Sequence, residues 1–365
     1  MKILFFTPFH MSYGGGTQQW IQRVTPLLIK EGYEIIIVDS TCGKASDFEF
    51  NHEISYITLP YLRYLAEQKK ILSVIRNTDV VYYSVGLAYY DFLIPKIALS
   101  YKKPIIGGWH APIYFDNFLH NLYVNTFKKR LLRRLTAHHV INKYDKNLLK
   151  SWEFKNIFLI PHGVDTNKFK PSKEKWYSEK FRILFLGRFT YEKGVDLFIE
   201  IIRKFLSFYK NDQNIEVLIA GQGPLKYLFG DILKDRRVKF FGFINNPENL
   251  YQKTHVFLLT SRQESFGLTN LEALASGNIV IATPTAGPIT IQERLGEEPI
   301  LASNSIEFLA KLKEIYYLFR NDRKKLINLC TKIRRKVSRY FSLDVHVNNF
   351  CKMLEKVMNN ENCEI

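Results

Sequence analysis

RILFLGRFTYEKGVDLFIEIIRKFLSF, residues 182–208, holds two periodicities in one stretch. Arg182–Leu186 is a short apolar run of strand length, followed at once by Gly187-Arg188-Phe189 and then by Glu192-Lys193-Gly194. From Val195 to Phe208 the apolar residues recur at helical spacing. A buried strand, a glycine-bearing turn and an amphipathic helix in that order form one βα unit of a parallel sheet covered on both faces.

The same rhythm extends in both directions. Downstream it predicts strands at Ile215–Ala220, Val238–Phe241, His255–Leu259 and Ile279–Ala282, with helices starting at Pro224 and Gly267. Upstream it predicts strands at Lys2–Phe6, Glu34–Asp39, Val80–Ser84, Pro104–Trp109, Ala137–Asn142 and Asn156–Ile160, with helices over Thr17–Lys30 and Tyr90–Ser100. Pro161-His162-Gly163-Val164-Asp165 and the polar run Thr166–Lys180 interrupt the pattern and mark a domain boundary. The expected fold class is α/β: two Rossmann-like doubly wound domains, 1–165 and 166–340, and a terminal helical segment, 341–365. Tandem units of this kind set the carboxyl ends of two sheets facing across a cleft, where such folds take ligands.

Composition agrees with a folded enzyme-sized chain. Of 365 residues, 46% are hydrophobic and 24% charged, which excludes intrinsic disorder as the main state. Lys+Arg exceeds Asp+Glu by 52 − 35 = 17. The apolar start, Met1 to Phe6, is broken by Thr7-Pro8 and His10, so it reads as a first strand rather than a leader. No apolar run reaches the length of a membrane span. Cys42, Cys330, Cys351 and Cys363 lie far apart without zinc-type spacing and read as reduced thiols. The expected location is the cytoplasm, with peripheral contact at the inner face of a membrane.

Two constellations carry chemistry. Arg188 and Lys193 stand at the top of a strand and beside a helix start, where fixed positive charge and open backbone N–H groups favour a diphosphate. Taken alone, the pair is equally well an Arg and a Lys on a surface loop. Glu264 and Glu272 follow the strand His255–Leu259, in the run Glu264-Ser265-Phe266-Gly267-Leu268-Thr269-Asn270-Leu271-Glu272. Carboxylates there accept paired hydrogen bonds from vicinal hydroxyls, as on sugars and ribose. Solvated helix-face carboxylates give the same spacing by chance, and the strand–Glu–Gly–helix–strand context is what raises it.

Together, Gly187-Arg188, Glu192-Lys193-Gly194, Glu264 and Glu272 in an Ala-Leu-Ala-Ser-Gly context resemble the retaining glycosyltransferases of family four, which have the GT-B fold. Gly14-Gly15-Gly16, Pro161–Asp165 and Gly221-Gln222-Gly223-Pro224 extend the resemblance over nearly the whole chain. It implies a terminal helix that crosses back to the first domain. It also implies transfer of a hexose from a nucleotide-diphosphate sugar to a hydroxyl acceptor, lipid-linked or on a surface glycan. By the same likeness Arg188 and Lys193 hold the donor diphosphate and Glu272 the ribose. Glu264 would meet the transferred sugar, with the amides of Phe266, Gly267 and Leu268 near hydroxyls or phosphates. Gly15 and Gly16 would form a loop near the donor phosphate, and His110 would orient the donor sugar; without the likeness these are a flexible turn and a structural histidine. Two positions depart from the family pattern: His162 stands where Asn is usual, and Thr290 where Glu is common. A nucleotide-sugar 2-epimerase of the same architecture and a non-enzymatic basic polyanion-binding scaffold are the alternatives.

No aspartate stands in a D-x-D triplet, so no metal and no cofactor beyond the donor is expected. Residues 123–137 place Phe127, Leu131 and Leu135 on one helical face among Lys128, Lys129, Arg130, Arg133 and Arg134, a pattern that suits an anionic membrane surface. A core-facing helix with a solvated basic face is the plain alternative. Lys332, Arg334, Arg335, Lys336 and Arg339 form a second cluster, read as solvated surface charge; no specific nucleic-acid partner is expected.

Overall fold

The computed structural model describes residues 1–42, 44, 53–59, 71–86, 88–113 and 118–359. They form two compact units, Met1–His162 with His346–Ile365, and Gly163–Val345.

In the first unit, seven parallel strands form a sheet: β1 (Lys2–Phe6), β2 (Glu34–Ser40), β3 (Ile54–Leu59), β4 (Val80–Ser84), β5 (Ile105–Trp109), β6 (Ala137–Val140) and β7 (Ile157–Leu159). The spatial order is β3-β2-β1-β4-β5-β6-β7, so the chain reverses its direction of travel across the sheet between β1 and β4. Alternate residues of β1 feed opposite cores, as the pleat requires: Ile3 and Phe5 join Trp20 and Phe350, while Leu4 and Phe6 join Tyr90 and Ile94. Phe350 belongs to the helix Leu343–Met358, which from His346 onward is part of this first unit and buries Val347, Met353, Leu354 and Val357 in the same cluster. Each such side chain contributes about 1.5–3 kcal/mol of burial.

The second unit holds six parallel strands: β8 (Phe181–Leu186), β9 (Ile215–Ala220), β10 (Val238–Gly242), β11 (Val256–Leu259), β12 (Ile279–Ala282) and β13 (Ile300–Leu301). Their order is β10-β9-β8-β11-β12-β13, which puts its reversal between β8 and β11. The helix Val195–Phe208 follows β8 and turns Phe198, Ile202 and Phe205 inward.

Several elements differ from the sequence reading. β3 and β13 were not expected: β3 interleaves Ser55, Tyr56 and Thr58 along a half-exposed sheet edge, and β13 has only two residues. Beyond Pro224 the chain forms two 3-10 turns, Pro224–Phe229 and Ile232–Lys234, because Leu225 leaves helical dihedrals and Gly230 separates them. The boundary run contains a short helix, Glu174–Tyr177, whose Lys175 is 1% exposed and donates to Gly277 O and Asn278 Oδ1, both at 2.7 Å.

Both basic clusters also need correction. A π-turn over Val124–Lys128 rotates the segment, burying Val124, Lys128, Leu132 and Leu135 and exposing Phe127. Lys128 is therefore not on a basic outer face; it is 4% exposed, 3.4 Å from Asp91 and over the Trp109 ring. In the second cluster, Arg334 donates to Thr166 O at 2.8 Å, Phe169 O at 2.8 Å and Ala275 O, and Lys336 donates to Leu295 O. These two cations satisfy carbonyls at the ends of helices Leu268–Ala275 and Ala286–Leu295 instead of facing water. Cys42, Cys330 and Cys351 are free thiols, and Cys363 lies outside the described residues.

Candidate functional site

In open α/β sheets the crevice forms where strand order reverses, at the carboxyl ends of the strands. The second unit meets that rule in detail. The loops after β8 and β11 bring Gly187, Lys193, Thr260, Ser261 and Thr269 around one pocket. Lys193 Nζ lies 2.6 Å from Glu264 Oε2, with side chains only 23% and 13% exposed. Ser261 Oγ donates to the same carboxylate oxygen at 3.4 Å.

The turn that carries Lys193 is held from several sides. Its carbonyl accepts from Thr260 Oγ1 at 3.1 Å, and Glu192 O accepts from the Arg262 amide at 2.7 Å. Arg262 also grips Asp196 through both guanidinium nitrogens and lies over the Tyr191 ring at 3.9 Å. That bond holds the Asp196 carboxyl below its usual range. Gly194, at φ +61°, closes the turn, and a Cβ there would stand 1.9 Å from Thr260 O.

Arg188 is exposed at the end of β8. Its loop is anchored by Phe189 N–H to Gln222 O at 2.8 Å and by Gly221, whose missing Cβ would meet Gly187 O at 1.9 Å. Gly267, at φ +82°, precedes the helix Leu268–Ala275 without a side-chain cap, so the first-turn amides of that helix lack intrahelical partners. Phe266 is buried and Leu268 half-buried beside it. Glu272, in the body of that helix, is 3% exposed and so more deeply set than Glu264. Thr290 donates to Ala286 O at 2.8 Å, within its own helix.

In the first unit, Gly15 precedes and Gly16 begins the helix Gly16–Lys30, again with no side-chain cap. His110 follows β5 directly. Its Nε2 lies 2.7 Å from Tyr82 Oη and its Nδ1 3.4 Å from His162 Nε2, and its ring lies tilted against Trp20 with centroids 4.4 Å apart. Burial, then the neighbouring His139 and His346, hold His110 well below the usual histidine range, so it is neutral. Among the described residues no group of three or more His, Cys, Asp or Glu side chains is placed to hold a metal ion, and no helix is long and apolar enough to cross a membrane.

The structure thus gathers Arg188, Lys193, Glu264 and the Gly267 helix start in one unit, with Gly15, Gly16 and His110 in the other. The sequence reading did not single out Thr260, Ser261 and Thr269, although Thr260-Ser261 directly follows a strand end. It also passed over the Arg262–Asp196 brace, which joins residues 66 positions apart and has no local signature.

Two family models match consecutive stretches: Glycosyltransferase Family 4 over residues 14–168 and Glycosyl transferases group 1 over residues 166–329. The chain belongs to the group 1 glycosyltransferases. Its two-unit architecture is GT-B, shared with HepE of Anabaena in complex with UDP, at TM-score 0.79 and 17% identity over 98% of this chain and 100% of that one. Among curated relatives, it is 23% identical to the alpha-monoglucosyldiacylglycerol synthase of Streptococcus pneumoniae over 77% of this chain and 71% of the relative. It is 34% identical to the O-antigen biosynthesis glycosyltransferase WclY of Escherichia coli, over 52% of this chain and 56% of the relative.

Proposed function

We propose that this glycosyltransferase moves a hexose from a nucleotide-diphosphate sugar to the hydroxyl of a lipid-linked or surface-glycan acceptor, with retention and without a divalent ion. The observation that carries the reading is the placement of Arg188, Lys193 and Glu264 at the strand reversal between β8 and β11. Departure of a nucleoside diphosphate leaves negative charge on the β-phosphate, and preorganised cations with open helix amides act on that charge. Lys193 already sits beside a carboxylate that fixes it, so an arriving phosphate meets a placed ammonium rather than a mobile one. Glu264 then faces the sugar hydroxyls and Glu272 the ribose. The HepE complexes with UDP and with UDP-glucose support a uridine donor.

The acceptor side is supported by the surface of the first unit. Phe118 is 80%, Leu119 73% and Phe127 65% exposed, and Arg130, Arg133 and Arg134 are exposed further along the same segment. Exposed apolar side chains next to cations suit an anionic bilayer, at about 1 kcal/mol per well-placed cation. The names of the two relatives, a glucosyldiacylglycerol synthase and an O-antigen enzyme, point to acceptors of that kind.

The test is to incubate the protein with UDP-glucose or UDP-N-acetylglucosamine and anionic vesicles carrying phosphatidylinositol, diacylglycerol or a polyprenyl-phosphate-linked sugar. UDP release that depends on one acceptor, an α-linked product and insensitivity to EDTA are expected. Release abolished by EDTA and restored by manganese contradicts the metal-free step, and a β-linked product contradicts retention.

A further inference from the structure

At the strand reversal of the second unit β8 and β11 stand side by side, yet their pairing ends early. Ile183 pairs with Val256 and Leu184 with Phe257, whereas β8 stays paired with β9 as far as Leu186 and β11 with β12 as far as Leu259. Past Leu184 and Phe257 the sheet therefore splays, and Phe185, Leu186, Leu258 and Leu259 line the pocket that opens there. The ladder does not set the spacing of the two loops that leave it, the turn of Lys193 and the loop of Glu264. Some other link has to, because segments without ladder bonds or buried contacts are the first parts of a fold to open.

Arg262 supplies that link. Its amide donates to Glu192 O at 2.7 Å. Its guanidinium donates to Tyr191 O at 2.9 Å and to the two oxygens of Asp196 at 2.8 and 2.5 Å, and it lies 3.9 Å from the centre of the Tyr191 ring. Asp196 is in the first turn of the helix Val195–Phe208, whose Phe198, Ile199 and Ile202 are buried. It stands three residues beyond Lys193, and Arg262 stands two before Glu264. One side chain thus ties the root of the Lys193 turn to the root of the Glu264 loop, through a paired planar contact that fixes angle as well as distance. The Thr260 Oγ1 bond to Lys193 O, at 3.1 Å, crosses the same gap deeper in.

The pair lies at the surface, with side chains 34% and 49% exposed. An ion pair in that setting adds little to global stability, since water and salt screen it. Its consequence is local: it decides where the two loops stand.

We infer that Arg262, acting through Asp196, is a positioning residue for Lys193: the clamp closes the open end of the splayed strands and sets the separation of Lys193 and Glu264 at which a nucleoside diphosphate is gripped. This deepens the transfer reading and rests on it for the ligand, though not for the ordering of the turn. With the clamp in place Lys193 Nζ lies 2.6 Å from Glu264 Oε2. Without it the turn is tied across the gap by Thr260 Oγ1 and the Arg262 amide alone, and the ammonium is no longer fixed where the diphosphate arrives.

The experiment compares the full chain with Arg262→Ala, Asp196→Ala, the double variant and Arg262→Lys, by hydrogen exchange with mass spectrometry and by calorimetric titration of UDP. Lys keeps a charge for Asp196 but cannot engage both of its oxygens in a fork. In the three alanine variants, exchange of the Lys193 and Gly194 amides, which donate to Thr190 O and Tyr191 O, is expected to quicken, while the strands of the sheet and the unfolding midpoint stay nearly unchanged. UDP affinity should fall roughly tenfold in each single variant, no further in the double variant than in Arg262→Ala, and recover in part in Arg262→Lys. Unchanged exchange across residues 190–196 in Arg262→Ala, or a UDP affinity there equal to the parent's, overturns the inference. So does a loss in Arg262→Ala that Asp196→Ala does not share, which would make Arg262 a ligand of the phosphate instead of a positioner of Lys193. Losses that add in the double variant overturn it as well. Hydrogen exchange decides the ordering of the turn even if the parent takes up no UDP, a result that would instead count against the donor reading.

Discussion

At the residue scale, the site works through side chains whose freedom has been removed. Lys193 is the clearest case, since its ammonium, carbonyl and following glycine are each held by a different neighbour. Lys193→Ala should lower kcat/KM for the nucleotide sugar by roughly a hundredfold or more, with the unfolding midpoint nearly unchanged, as steady-state kinetics and calorimetry will show. Gly194→Ala should lose both activity and stability, by about 1–3 kcal/mol in denaturant titration, because the left-handed turn and the Thr260 carbonyl leave no room for a methyl. Arg188, Lys193, Glu264 and Glu272 could be picked out as candidates because they fall in short, ordered motifs. Arg262 and Asp196 could not, because a loop and a helix from separate parts of the chain bring them together and no local pattern marks them.

A buried acid sets a second residue-scale expectation. Burial raises Glu298 to about 8 from an ordinary value of 4.5. Its folded value lies above its unfolded one, so its contribution to stability is complete below about 4.5 and is lost as pH rises through about 8. Glu298→Gln should therefore flatten the fall in stability between about pH 4.5 and pH 8. A variant whose melting curve follows the same pH dependence as the parent would show that Glu298 is not the group responsible.

Among elements, the helix-bearing segment 118–135 shows how far periodicity reaches. Its basic, amphipathic character was legible, but the π-turn at Val124–Lys128 moved the buried stripe and put Lys128 inside. The segment thus divides into two roles with separate readouts. Lys128→Ala leaves Asp91, which is 0% exposed, without its cation and should cost about 3–5 kcal/mol in chemical unfolding. Replacing Arg130, Arg133 and Arg134 together with Ala should spare stability and weaken sedimentation with anionic vesicles, an effect that added salt should mimic. The short strands β3 and β13 escaped the sequence reading for a physical reason: one alternates polar residues along an edge, and the other is too brief to show any period.

For the whole molecule, the strand–helix alternation in the sequence already specified two parallel-sheet units, because a parallel strand needs a crossover and a crossover needs a covered face. The alternation alone could not specify where the strand order reverses. That depends on which edge of β1 or β8 receives the returning strand, and β4 and β11 take those places. In the proposed reading, it is this choice that makes a phosphate site of an Arg and a Lys on a βα loop. A ligand held there stabilises only the folded chain, so UDP should raise the melting temperature with a concentration dependence set by its affinity.

The most direct measurement is calorimetric titration of UDP into the protein and into Lys193→Ala, each with and without EDTA. The account predicts binding to the parent that EDTA leaves intact and that falls at least about tenfold in the variant. Equal affinity in both proteins, or binding that appears only with added divalent ion, would contradict it.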